Sequence, residues 1–162
     1  MNVTIESLAE LFVSRNFMFY AAESCTGGLI CSEFAKLSGI SACFGGGVVA
    51  YSNEYKVRFL GVSPDTLALY GAVSASVAVE MAAGVILGGG TQDKNCLGLS
   101  VTGVAGPGCS ENKPVGLVYF GVNINGAASE SFERRFTGSR VEIQRAAFSE
   151  AVSLMYKFVS EY

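Results

Sequence analysis

The sequence predicts a single α/β domain built on a mixed sheet with helices on both faces. Three observations carry this expectation. Segments with helical spacing alternate with short apolar strand segments through most of the chain. Two strand segments then follow one another across a turn, as locally paired strands do. A long amphipathic segment closes the chain. With 162 residues, 50% of them hydrophobic, the chain can bury a sizeable core. No linker, repeat or low-complexity run divides it, so residues 1–162 read as one domain.

Each element has its own local reason. Ile5, Leu8, Ala9 and Phe12 follow helical spacing behind Thr4, a good N-cap residue. "FMFYAA" (Phe17 to Ala22) is short, aromatic and apolar, and reads as a buried strand. A second helix is expected to start near Thr26, bury Ile30, Phe34 and Leu37, and stop at Gly39. "GGVVAYS" (Gly46 to Ser52) reads as a strand and "NEYKVRFLG" as a short helix capped by Asn53. "SPDTLALYG" has Ser63 as cap, Pro64 in the first turn and Gly71 past the end. "SASVAVEMAAGVIL" puts Val77, Met81 and Val85 on one face of a longer helix. "CLGLSVTG" (Cys96 to Gly103) is a strand, and "VAGPGCSENKP" is a loop by its turn residues. "VGLVYFGVNI" and "ASESFERRF" predict a hairpin around Asn125-Gly126. Ser139 and Glu142 have capping-box spacing at the start of the last helix. Its buried stripe is Ile143, Ala147, Ala151, Leu154 and Phe158.

Composition narrows the function. Net charge is −3 and there is no run of Lys or Arg, which argues against nucleic-acid binding by phosphate neutralisation. Five cysteines with no CxxC pair argue against a disulfide framework or a zinc knuckle and fit free thiols in a reducing compartment. The start "MNVTIESLAELF" is acidic and amphipathic, unlike a signal peptide, and no apolar stretch is long enough to span a bilayer. The expectation is a soluble, cytoplasmic protein with no membrane or nucleic-acid partner. Only 15% of residues are charged, against a usual value near 25%. That deficit predicts a homo-oligomer, most simply a two-fold dimer.

The chemistry gathers at "ESCTGG". The predicted elements place it where a strand ends and a helix begins, at the carboxyl edge of the sheet where open α/β folds bind ligands. Ser24 there is a candidate nucleophile beside backbone N–H groups that suit an oxyanion. The alternative is that Ser24 or Thr26 only caps the helix. Cys25 competes with Ser24, but a cysteine nucleophile usually has a histidine partner, and this chain contains no histidine. A serine without histidine can use lysine, provided the lysine is neutral. Among Lys36, Lys56, Lys94, Lys113 and Lys157, Lys56 lies one turn into the helix after "GGVVAYS". Tyr51, just before that helix, offers a hydroxyl to relay a proton or to hold the serine rotamer. The structural alternatives are a strand-end aromatic for Tyr51 and an exposed helix residue for Lys56.

Four stretches, "AAESCTGGLI", "GGGVVAYSNEYKVRFLGV", "GAVSASVAVEMAAGV" and "SVTGVAGPG…KPVGLVYFGV", occur in that order. Together they resemble the CinA C-terminal domain family of nicotinamide-nucleotide amidohydrolases, from about Ala21 to the last helix. The resemblance implies a three-layer α/β/α fold with a mixed, mostly parallel sheet. It implies hydrolysis of the carboxamide of nicotinamide mononucleotide to nicotinate mononucleotide and ammonia. It also implies a serine, a tyrosine and a lysine at the site, which fall on Ser24, Tyr51 and Lys56. The chain resembles the stand-alone form, without the second, N-terminal domain of many family members.

The resulting expectation is acyl transfer without metal or organic cofactor. The oxyanion donors are expected from the "CTGG" turn, Cys25, Thr26, Gly27 and Gly28, or from the glycine run Gly45, Gly46 and Gly47. The phosphate donors are expected from the backbone of "TGVAGPG", Thr102 and Gly103 through Gly108, and from Arg140, which is otherwise a solvated helix residue. Tyr55, Cys109 and Ser139 depart from the usual family pattern, but none replaces a proposed catalytic side chain. Two other readings stand beside this one: a non-catalytic nucleotide-binding or regulatory module, and an amidase for another small amide.

Overall fold

The computed structural model describes residues 3–87, 93–127 and 129–162. The chain runs through helix α1 (Ile5–Ser14), strand β1 (Phe17–Glu23), helix α2 (Leu29–Ala35), a 3₁₀ turn (Ile40–Ala42) and strand β2 (Phe44–Val49). Helices α3 (Asn53–Leu60), α4 (Pro64–Tyr70) and α5 (Ala75–Leu87) follow in succession. Strands β3 (Asn95–Gly103), β4 (Leu117–Ile124) and β5 (Glu130–Arg135) then lead to helix α6 (Arg140–Glu161).

The strands form one sheet in the order β2-β1-β3-β4-β5. Strand β1 pairs in parallel with β2 and β3, and β4 pairs antiparallel with β3 and β5. Only β4 therefore runs against the rest, which is the mixed, mostly parallel sheet expected.

Alternation along β1 builds two cores, one on each face. Phe17, Phe19 and Ala21 join Leu8, Phe12, Phe34, Ala147 and Met155 under α1, α2 and α6. Tyr20 and Ala22 join Leu60, Val77, Met81 and Val85 under α3 and α5. The first core is aromatic: the Phe19 ring lies 4.9 Å from Phe12 and 4.7 Å from Phe34, centroid to centroid. Each such buried ring contributes roughly 1.5–3 kcal/mol. The second core is tighter. A Cβ on Gly98 would lie 2.1 Å from Ala82 O, and one on Gly121 would lie 2.2 Å from Ala78 O. The small-residue helix α5 therefore rests its backbone directly on β3 and β4.

Local signals account for most boundaries. Ser63, Pro64 and Gly71 bracket α4, and the Ser139–Glu142 capping box opens α6. Asn125 and Gly126 adopt positive φ (55° and 74°) in the hairpin turn. Ala128, the first residue of the second expected hairpin strand, lies outside the described residues. Several boundaries differ from expectation. β2 spans Phe44–Val49 rather than Gly46 to Ser52. α2 begins at Leu29 rather than near Thr26, because Gly27 and Gly28 both take positive φ (61° and 101°). α2 ends at Ala35, before Gly39 is reached. α3 is capped by Ser52, whose hydroxyl accepts the Tyr55 N–H, rather than by Asn53. Among the described residues, no helix is long and apolar enough to cross a membrane.

Candidate active site

Strands β2, β1 and β3 are parallel neighbours, so their carboxyl ends open side by side. Ser24 follows β1, Tyr51 and Lys56 follow β2, and Thr102 and Gly103 end β3. All of these residues, with Glu111 and Arg140, line one cavity of about 360 Å³.

At its centre, Lys56 Nζ lies 3.0 Å from Ser24 Oγ, although the residues are 32 positions apart. The same nitrogen donates to the carbonyls of Ala50 (2.9 Å) and Tyr51 (3.2 Å). Lys56 is only 1% exposed, on the inner face of α3 one turn before buried Leu60. Burial depresses its pKa below the ordinary lysine value, against weaker opposing effects of Cys25 and Glu111. Protonated, Lys56 donates to all three oxygens; neutral, it can donate to the two carbonyls and accept the serine hydroxyl with its lone pair. Cys25 is different: burial pushes its thiol up to about 12, so it stays protonated.

The Ser24 turn is held from three sides. Ser24 N donates to Val101 O (2.9 Å). Glu23, fully buried, accepts N–H groups from Gly28 (3.0 Å), Ile30 (3.1 Å) and Cys31 (2.8 Å). Gln144 of α6 donates to Cys25 O (2.9 Å). Sequence reasoning missed Glu23 and Gln144. A glutamate ending an apolar strand was a legible signal for the first. Nothing in the local pattern pointed to the second.

Of the two expected sources of oxyanion donors, the structure keeps part of the Cys25–Gly28 turn and sets the glycine run aside. Gly46 and Gly47 lie within β2 and line a separate hollow with Tyr20, Phe59 and Gly84. A Cβ on Gly47 would sit 2.3 Å from Cys31 Sγ and 2.7 Å from Ala21 O, so close packing explains that glycine. Thr26, Gly27 and Gly28 line a depression beside Gln144 and Arg145, not the Ser24 cavity. The Gly27 N–H goes to Ser24 O and the Gly28 N–H to Glu23 Oε2. In this turn, the amides of Cys25 and Thr26 have no oxygen acceptor among the described residues, and of the two residues only Cys25 lines the Ser24 cavity.

Tyr51 also differs from its expected role. It meets Lys56 through its carbonyl, while its exposed hydroxyl accepts a hydrogen bond from Arg140 Nη2. The hydroxyl therefore does not contact the Ser24–Lys56 pair as a relay would. Arg140 Nη1 donates to Gly106 O, which anchors the guanidinium across the cavity rim. Thr102 is buried and donates its hydroxyl to Ala72 O (2.9 Å), so its side chain is already engaged.

Glu111, also missed, comes from the loop between β3 and β4. Its carboxylate accepts the N–H groups of Ala72 (2.9 Å) and Val73 (3.2 Å) and pairs with Lys113 at 3.5 Å. Burial alone would raise its pKa, but these amides and the Lys113 ammonium outweigh burial and lower it. Among the described residues, no group of three or more His, Cys, Asp or Glu side chains could hold a metal ion.

Comparison with known proteins agrees over the whole chain. Residues 2–159 match the family model of the CinA C-terminal domain. The chain is 42% identical, over 99% of its length, to a competence-damage inducible protein of Caldicellulosiruptor saccharolyticus. It is 44% identical, over 95% of its length, to one of Moorella thermoacetica. It spans only 38% and 36% of the length of these two relatives. Among solved structures, a CinA superfamily protein from Klebsiella pneumoniae superposes with a TM-score of 0.87 at 28% identity, covering 98% of this chain and 99% of that one. The competence/damage inducible protein CihA from Agrobacterium tumefaciens gives a TM-score of 0.83 at 35% identity over 94% of each chain. The chain belongs to the CinA C-terminal domain family.

Proposed function

We propose that this cavity is an amidase site that hydrolyses the carboxamide of nicotinamide mononucleotide to nicotinate mononucleotide and ammonia. The observation that carries the reading is the buried Lys56 amine 3.0 Å from Ser24 Oγ. The choice of amide rests on the family resemblance.

In this mechanism neutral Lys56 takes the Ser24 proton as Oγ attacks the carboxamide carbon. The C–O bond forms and the carbonyl π pair becomes an oxyanion. The Cys25 amide, directly after the nucleophile as in a nucleophile elbow, is the donor this turn supplies. Lys56, now an ammonium, returns its proton to the amide nitrogen. The C–N bond breaks, ammonia leaves, and Ser24 carries an ester. A water molecule, deprotonated by the same lysine, attacks that ester and releases the carboxylate and the free serine.

Arg140 supports the phosphate end. Its fork is oriented by Tyr51 Oη and Gly106 O, and its remaining N–H groups suit phosphate oxygens. Tyr51 in this reading positions Arg140 rather than moving a proton.

The test is ammonia release from a panel: nicotinamide mononucleotide, its riboside, free nicotinamide and unrelated small amides. The mononucleotide should be hydrolysed fastest. Fastest release from an unrelated amide would reassign the substrate, and no release from any member would leave a non-catalytic binding module.

A further inference from the structure

The mechanism above leaves Glu111 unused, although among the described residues it is the only acidic side chain lining the cavity. Its placement is elaborate. It sits at positive φ (52°) and is clamped by two successive amides. A Cβ on Gly71, itself at φ 77°, would fall 2.5 Å from its Oε2. Its side chain remains 30% exposed and its pKa is lowered, so a carboxylate is presented to the cavity. That charge faces the same cavity as the Ser24–Lys56 pair. Lys113 offsets part of it, but Lys113 does not line the cavity and is held by the carbonyls of Tyr70 and Val73. Lys56 must be neutral to act. Among the described residues, the working cavity therefore presents one fixed anion, Glu111, and one fixed cation, Arg140.

We infer that Glu111 makes the cavity selective for a carboxamide borne on a cationic ring, an N-substituted pyridinium, over the same carboxamide on a neutral ring; this rests on the amidase reading above. Paired with Arg140, it matches a zwitterion carrying a ring cation and a phosphate anion. A neutral ring gains nothing from Glu111, whereas a cationic one gains Coulomb energy in a partly water-excluded site. With Lys113 opposing, the expected preference is about tenfold.

The test compares binding of the mononucleotide in its pyridinium form and in its neutral dihydropyridine form. Both carry the same carboxamide, ribose and phosphate. Titration calorimetry on Ser24→Ala avoids turnover. Ser24→Ala should bind the pyridinium form about tenfold tighter. Adding Glu111→Gln should bring the two forms to within about twofold, and adding Lys113→Met should widen the gap. If Glu111→Gln weakens both forms equally and the gap persists, Glu111 only pins its loop and the inference is overturned. Should Glu111→Gln not fold, Lys113→Met decides alone: a wider gap supports the inference, and an unchanged or narrower gap overturns it. Failure of the amidase reading looks different: neither form binds Ser24→Ala, and the unmodified protein releases no ammonia from the mononucleotide.

Discussion

Two strand-to-helix junctions lie side by side at the carboxyl end of the sheet, and they are built in opposite ways. After β1, the chain makes a turn through two glycines at positive φ before α2 begins, and a fully buried carboxylate, Glu23, collects the free amides. After β2, the chain enters α3 almost at once behind an ordinary serine cap, Ser52. The first junction leaves Ser24 on the turn itself, 8% exposed and facing the cavity. The second carries Lys56 one turn into the helix and buries it. The difference matches what each group needs in the proposed reaction. A nucleophile must be fixed by backbone yet reachable by substrate. A lysine base must lose water, or it stays protonated and useless at neutral pH. A turn supplies the first condition, and the inner face of a helix the second.

The sharpest way to break the comparison is to remove the nucleophile. Ser24→Ala should lower ammonia release from nicotinamide mononucleotide by on the order of 10⁴-fold or more. Cys25→Ala, next door on the same turn, should stay within about tenfold of the unmodified protein, since its thiol is not ionised. An inactive Cys25→Ala beside an active Ser24→Ala would move the nucleophile by one residue.

Lys56 tests the second junction. Lys56→Met should cost about 10²–10⁴-fold in rate, and Lys56→Arg should not restore it, because arginine cannot deprotonate in this range. With Lys56 intact, the rate should rise with pH through the lysine's lowered pKa. A flat profile would remove its role as base. Stability carries the same sign. Unfolded lysine titrates near 10.4, and folded Lys56 titrates lower. Between the two values the unfolded chain binds more protons. Stability owed to this group is therefore full above the unfolded pKa and is lost as pH falls through the folded one. Urea unfolding across the alkaline range should show a protein-minus-Lys56→Met difference that grows with pH. A difference independent of pH would mean that Lys56 titrates alike in both states.

The smallest expected effect compares the two helix starts directly. Glu23→Gln strips a charged acceptor from three amides and should cost about 2 kcal/mol of stability. Ser52→Ala removes one neutral cap and should cost about 1 kcal/mol. Urea unfolding of both variants gives the order, and a reversed order would mean that Glu23 is not what holds the Ser24 turn.

The sequence by itself determined whatever depends on neighbours a few positions away. The serine, proline and glycine around α4, the capping box of α6, the Asn125-Gly126 turn and the alternation of β1 are local devices, and each is found where its pattern predicts. The pairing of Ser24 with Lys56 was legible only as a possibility, because helical spacing alone leaves Lys56 as readily exposed as buried. Tertiary structure decided the rest. It buried Lys56 between two carbonyls and the serine, and it turned the Tyr51 hydroxyl to Arg140. It used Gly47 for packing against Ala21 and Cys31. It also brought Gln144 to Cys25 and Glu111 to Ala72, contacts spanning 119 and 39 positions. The physical reason is that burial and charge proximity are set by which surfaces the whole sheet and its helices bring together, and no local spacing records that.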